Sequence, residues 1–201
     1  MDDIRQVTEM ASAGNWETIK RDRGVTMRSR WLSFGDSVKT REISSQFVVN
    51  ADIERVIDYL VHPEKLLAWN DEVRSLKILK QEGSTCITHT VYDIPHPFSQ
   101  QDLVSKNVLI NNRDKTIIIM SALPSYIPPL RNVTRQQLYF GQWELRPLTN
   151  GTIQVHFSAI SFSKSSIPRI IRDPIIQNRL FQSFVRLKEL SSTDVRTGAN
   201  Q

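Results

Sequence analysis

The sequence predicts an α+β domain in which a curved antiparallel sheet of about nine strands wraps around a long C-terminal helix. Strand-like segments follow one another without the strand–helix alternation that a parallel sheet requires. A pair of short helices interrupts them once, after Asn50, and the chain closes on one long segment of helical spacing. Such a sheet must curve, and a single apolar helix cannot fill its concave face, so a cavity is expected from the layout alone.

Each element has a local cause. Asp2 or Asp3 caps a short helix that carries Ile4, Val7 and Met10 on one side and runs through Ala13, and Gly14 ends it. Trp16 to Arg21 and Val25 to Trp31 read as strands around an Asp22-Arg23-Gly24 turn, with Val38 to Val49 as a third. Asn50 and Asp52 are cap residues before Ile53, Val56, Ile57, Leu60 and Val61, which share one helical face; Pro63 breaks that helix and opens a second turn towards Trp69. Strands are then predicted at Glu72 to Lys80, Thr85 to Ile94, Asp102 to Asn111, Thr116 to Leu123, Thr134 to Arg146 and Thr152 to Ser163, separated by turn residues such as Asn112-Arg113-Asp114 and Asn150-Gly151. Beyond Pro168, apolar residues from Ile170 to Leu190 recur at helical spacing, and Pro174 is expected to kink or divide that helix. The expected organisation is an N-terminal helix packed on the domain over residues 1–14, the sheet-and-helix domain over 15–191 and a flexible tail over 192–201.

Composition narrows the class. The 201 residues suit one domain, and 39% apolar with 23% charged residues is ordinary for a globular chain. The net charge of +5 arises from 26 basic against 21 acidic residues that are scattered along the sequence, which gives little support to nucleic-acid binding. The single cysteine, Cys86, excludes an internal disulfide framework and a multi-cysteine metal site. No apolar run approaches a spanning helix, and Met1 to Gly14 is too polar for a signal peptide. A cytoplasmic location is therefore expected, or a periplasmic or secreted one if a leader has been removed.

No catalytic set emerges. Cys86 and His89 stand an odd number of residues apart on one strand and point to opposite faces, so they cannot form a nucleophile–base couple without a bulge. His89 and Asp93 share a face but lie about 13 Å apart at strand rise. No His-x-His or His-Glu-x-x-His spacing exists, no Gly-rich phosphate loop is present, and neither a metal nor a cofactor is expected.

Strand parity gives the candidate cavity lining. Tyr139 and Trp143 belong to the apolar set of one late strand, and Val155 and Phe157 to that of the next. If the face bearing His89 and Val91 is concave, His89 is a polar anchor for a ligand hydroxyl or carboxylate. On the closing helix Ile171, Ile175 and Phe184 are the candidates to close the pocket. Access would require a loop to move, either Pro95 to Gln101 or the unusually apolar Pro124-Ser125-Tyr126-Ile127-Pro128-Pro129-Leu130, which is also a candidate for transient contact with a membrane surface.

Four passages resemble the START domain (steroidogenic acute regulatory protein-related lipid transfer) of the helix-grip, or SRPBCC, superfamily, over about residues 15–190. Trp69 stands after the paired helices. Ile94-Pro95-His96-Pro97-Phe98-Ser99-Gln100-Gln101-Asp102 is similar to the family's proline-containing loop that leads through Arg-Asp into a strand. Gly141-Gln142-Trp143-Glu144-Leu145 with Pro147 and Gly151 resembles its late hairpin, and Ile167-Pro168 precedes the closing helix as the family's Ile-Pro does. Gln101 stands where the family has Arg, so an ion pair made by that Arg is expected to be lost, and His96 replaces a frequent Trp. The resemblance implies that Trp69 joins the ligand contacts and that the chain reversibly binds a lipid or other hydrophobic molecule as a carrier or sensor. It implies no cofactor, and because parts of the superfamily are cyclases or hydrolases it does not decide between carrier and enzyme; with no catalytic set in the sequence, the expected protein is a non-enzymatic monomer. An enzyme of the same superfamily acting on a hydrophobic substrate, with His89 or Asp93 as a lone acid or base, is the alternative, and a cavity-poor interaction module is a third.

Overall fold

The computed structural model describes residues 4–36, 38–96, 99–162 and 169–192, and within these all side chains except those of residues 5 and 169–172. Helix α1 (Ile4–Glu9) and strand β1 (Ser12–Ala13) are followed by β2 (Glu17–Asp22), β3 (Val25–Phe34) and β4 (Val38–Val49). Helices α2 (Ile53–Val61) and α3 (Pro63–Trp69) come next, then β5 (Val73–Glu82), β6 (Thr85–Tyr92), β7 (Gln101–Asn111), β8 (Thr116–Ala122), β9 (Thr134–Arg135), β10 (Leu138–Pro147) and β11 (Ile153–Phe162). Helix α4 (Arg169–Ser191) is the last described element.

All eleven strands join one sheet, in the order β1-β3-β4-β11-β10-β8-β7-β6-β5, with β2 also on β3 and β9 also on β7. The strand expected from Thr134 to Arg146 is broken in two. Thr134 and Arg135 pair parallel with Gln101 and Asp102 of β7, and the chain then crosses to run antiparallel to β8 and β11 as β10. The first helix also stops earlier than expected, because Ser12 and Ala13 pair with Ser33 and Leu32 on the edge of β3, where the sheet satisfies their backbone groups. Between β2 and β3, Arg23 and Gly24 take φ of 47° and 73°, the successive left-handed pair of a tight hairpin turn.

Side-chain alternation divides the sheet into two faces. Val25 and Met27 of β3, Phe47 and Val49 of β4, and Ile153, Val155 and Phe157 of β11 point to the concave face and form the main core with Val56 and Leu60 of α2 and Phe181, Phe184, Val185 and Leu187 of α4. Residues of the opposite parity, Leu32 and Ile160, pack with Ile4 of α1 on the convex face. Pro63 opens α3, while Asp52 takes the extended backbone of an N-cap before α2 without a side-chain bond to the helix. Pro174 does not divide α4. It stands near the opening of the helix, so the backbone bond it cannot make would reach only Ile170 in the first turn.

The basic residues are largely engaged within the fold. Arg30 Nε meets Glu42 Oε2 at 2.6 Å, Arg186 pairs with Asp71, and Lys188 Nζ donates to the Arg23 carbonyl at 2.6 Å. No helix among the described residues is long and apolar enough to cross a membrane.

Candidate functional site

Between the concave face and helices α2, α3 and α4 lies a cavity of about 420 Å³. Small-molecule sites span roughly 300–1,000 Å³, so the space suits one drug-sized ligand. Small side chains on the concave face leave it open. Gly141 faces Ala159 across the β10–β11 ladder, and Ala159, Ser161, Ser105 and Thr88 all line the space. A Cβ at Gly141 would come within 2.6 Å of Met120 Cε and 2.8 Å of Tyr139 Oη, so the glycine makes room for two lining side chains.

Part of the wall is apolar and centres on Trp143. Its ring centroid lies 4.6 Å from that of Phe157, 5.9 Å from Phe184 and 6.1 Å from Trp69, with edge-on geometry to the last two. Trp69 is fixed in turn because its Nε1 donates to the Tyr59 carbonyl at 2.8 Å. Leu60, Leu66, Ile118, Met120, Ile176 and Leu180 extend this surface.

A second part of the wall is polar. Thr88 Oγ1 and Ser105 Oγ are 3.1 Å apart across β6 and β7, and Asn107 Nδ2 donates to Thr88 Oγ1 at 2.9 Å. Glu72, Tyr92, Tyr139, Gln136 and Arg179 also face the cavity. Burial lifts the Glu72 carboxyl to about 7 against the opposing attraction of the Arg179 guanidinium. Burial likewise raises both tyrosine hydroxyls, and the charge of Glu72 adds to the effect on each. Arg179 holds its position through Nη1 to the Asp93 carbonyl at 2.6 Å and Nη2 to the Asp71 carbonyl at 2.7 Å.

No family model matches the sequence. The uncharacterized protein PA1579 of Pseudomonas aeruginosa is 26% identical over 159 residues, 79% of this chain and 77% of its own length. Among solved structures, a STAR-related lipid transfer protein from Xanthomonas axonopodis superposes with a TM-score of 0.76 at 20% identity, covering 89% of this chain and 99% of that one. Human STARD10 gives 0.74 at 14% identity, covering 95% and 80%. The chain has a START-like helix-grip fold. The same START-like architecture extends, with a TM-score of 0.58 and 12% identity over 81% of this chain and 99% of the other, to the Zhui aromatase/cyclase of a Streptomyces species.

Within the START-like cavity, the residues chosen from sequence fall into three groups. Trp69, Tyr139, Trp143, Phe157 and Phe184 line it together. Ile171 has its side chain outside the described residues. His89, Val91, Val155 and Ile175 do not line it, which corrects four expectations. On β6 the concave residues are Cys86, Thr88, Thr90 and Tyr92, so His89 and Val91 point to the convex side. Val155 faces inward, but where the main core fills the fold completely. On α4 the cavity side carries Asp173, Ile176, Gln177, Leu180 and Phe184, and Ile175, one position off that face, is 40% exposed.

His89 instead belongs to a buried ionic cluster on the convex face. Its Nε2 lies 2.8 Å from Asp102 Oδ2, and Arg135 grips the same carboxylate through Nε to Oδ1 and Nη2 to Oδ2, each at 2.8 Å. Arg135 Nη1 also donates to the carbonyls of Pro124 at 2.8 Å and Ile127 at 3.1 Å, tying the apolar loop down over the cluster. Asp102 therefore keeps an ion pair even though Gln101 replaces the expected Arg, because Arg135 of β9 supplies the cation. Gln101 turns into the cavity and accepts from Gln136 Nε2 at 3.2 Å.

Glu72, Tyr92 and Arg179 were not expected at the site. Glu72 precedes a strand and Arg179 sits in a basic helix, where a solvated position is the default; the bonds from Arg179 to the Asp71 and Asp93 carbonyls, contacts distant in sequence, place that arginine against the segment that carries Glu72. The alternation of β6 itself offered no guide, since the Arg135-anchored loop buries its convex face and leaves both parities covered.

Proposed function

We propose that this protein binds one hydrophobic small molecule or lipid in the cavity, such as a sterol, phospholipid or isoprenoid, and acts as its carrier or sensor without converting it. The observation that carries this reading is the joining of an aromatic wall around Trp143 to a localised polar wall inside one START-like cavity. Apolar burial contributes roughly 25 cal/mol per Å², so covering about 300 Å² of ligand surface yields roughly 7 kcal/mol before association costs. Polar groups then fix orientation. The reading requires no cofactor, nucleic acid or second subunit.

Ala159→Trp tests it. The indole would occupy the space left opposite Gly141, and binding of an environment-sensitive apolar dye such as Nile red is expected to fall at least about tenfold, a loss of roughly 1.4 kcal/mol, with the circular dichroism of the fold retained. Undiminished dye binding by the folded variant would place the dye elsewhere and remove the support for an internal site.

An acid–base enzyme is the second reading, and Glu72, a buried carboxyl near neutrality, favours it. Cys86 and His89 do not add to it: burial raises the Cys86 thiol, and His89 is held by Asp102 away from the cavity. A bound ligand recovered with an altered mass after incubation would decide for the enzyme.

We also propose transient membrane contact through the loop after β8, where Tyr126 is 45% and Leu130 42% exposed. Leu130→Asp combined with Tyr126→Ser is expected to lower liposome association severalfold and leave Nile red binding intact. Equal association of the folded variant would overturn the contact.

A further inference from the structure

The polar wall presents acceptors that lack donors. Glu72 lines the cavity, and its carboxylate receives no hydrogen bond from a described side chain; its own backbone is engaged, with N bonded to Asn70 Oδ1 at 3.2 Å and the carbonyl accepting from Asp93 N at 2.7 Å. Gln136, also on the wall, buries its Oε1 without a hydrogen-bond partner while its Nε2 is used by Gln101. The nearby cation, Arg179, directs its donors to Asp71 and Asp93 rather than into the space. Arg41, the other described cation on the wall, donates Nη1 to Ser29 Oγ at 3.3 Å and stacks 4.5 Å from the Trp31 ring, while its buried Nε lies 3.7 Å from Asp173 and has no hydrogen-bond partner. Among the described side chains, the acidic groups on the wall are Glu72, Asp93 and Asp173 and the basic ones Arg41 and Arg179.

Resting on the reading of this cavity as a ligand site, we infer that Glu72, with Gln136 lining the same cavity, is the head-group anchor and selects a neutral hydroxyl-bearing apolar molecule over a carboxylic acid. A hydroxyl donates to the unfilled acceptor and can accept in turn from a tyrosine hydroxyl at Tyr92 or Tyr139. A carboxylate head at this point would meet Glu72 as a like charge in a desolvated space, and Arg179, the cation that acts on Glu72, already directs its donors to Asp71 and Asp93. An ammonium head could pair with Glu72 but would lose far more hydration on entry than a hydroxyl does. Burial pushes Glu72 up to about 7 against the attraction of Arg179, in keeping with a desolvated carboxyl at this point.

Competition against Nile red with dodecanol, dodecanoic acid, dodecylamine and dodecane, in mildly alkaline buffer, tests the assignment. Wild type is expected to favour dodecanol over both dodecanoic acid and dodecane by at least about tenfold, the margin over dodecane being near the lower end of one hydrogen bond to a charged group. Glu72→Gln should bring alcohol and acid within about threefold of each other, and Glu72→Ala should erase the preference for alcohol over alkane, both with Nile red still bound. An acid or amine bound as tightly as the alcohol by wild type, or a preference unchanged in Glu72→Ala, would overturn the anchor while leaving the cavity's role intact. Failure of every probe, Nile red included, would instead overturn the cavity as a ligand site.

Discussion

Asp102→Ala and Arg135→Ala each lower the stability of the fold by about 3–5 kcal/mol, the cost of leaving one charge of a buried pair without its partner. Asp102 is fully buried and Arg135 is 6% exposed, so water cannot replace what is lost. The arginine loss reaches further, because Arg135 also holds the carbonyls of Pro124 and Ile127 and so fastens the loop that covers the cluster. The exposed Lys80–Glu82 pair is the matching control, and its removal should leave the urea midpoint nearly unchanged. Burial alone would raise the Asp102 carboxyl, but the hydrogen bonds from Arg135 and His89 outweigh it and hold the group below the usual range. A carboxyl depressed in the folded state contributes stability that is present above its unfolded value of about 3.9 and disappears as pH falls through the folded value. Wild type should therefore show an acid-side loss of stability below about pH 4 that Asp102→Asn lacks, measured by urea midpoints across pH.

Trp143→Ala is the second large effect, with an expected loss of about 3–5 kcal/mol, because the substitution deletes the central ring of the aromatic wall and opens a void beside an existing cavity. Phe157, Phe184 and Trp69 all lose a partner, and none can follow the indole inward: Trp69 is tied to the Tyr59 carbonyl, while Phe157 is fixed in β11 and Phe184 in α4. Trp16→Ala, at a ring 39% exposed, should cost far less. Equal urea midpoints for the two variants would contradict the placement of Trp143 at the core–cavity boundary.

Much of the architecture was legible because its signals are local. The two-residue alternation of Ile153, Val155 and Phe157, the three-and-four spacing through Val56 and Leu60, and the Asp22-Arg23-Gly24 turn each report on a neighbourhood of a few residues. Trp143, Phe157 and Phe184 were reached by the same logic, since they lie on elements with one dry face. The reading failed where an element is covered on both sides. His89 looked like a cavity residue because nothing local to β6 indicates that the chain near Arg135, more than forty residues later, returns to bury its convex face. Glu72 and Arg179 were missed for the converse reason, as charged residues whose burial depends on contacts distant in sequence. Ile175 shows how little error a helix tolerates, because one position turns a side chain by about 100° and Ile176 lines the cavity in its place.

The central claim is that the cavity holds an apolar molecule, and native mass spectrometry of gently purified protein, followed by solvent extraction, tests it most directly. A stoichiometric adduct on wild type that is absent from Ala159→Trp, and that yields an unmodified hydroxyl-bearing apolar molecule on extraction, is the predicted result. Wild type that emerges without an adduct and stays so after exposure to a broad panel of sterols, phospholipids and isoprenoids would contradict it.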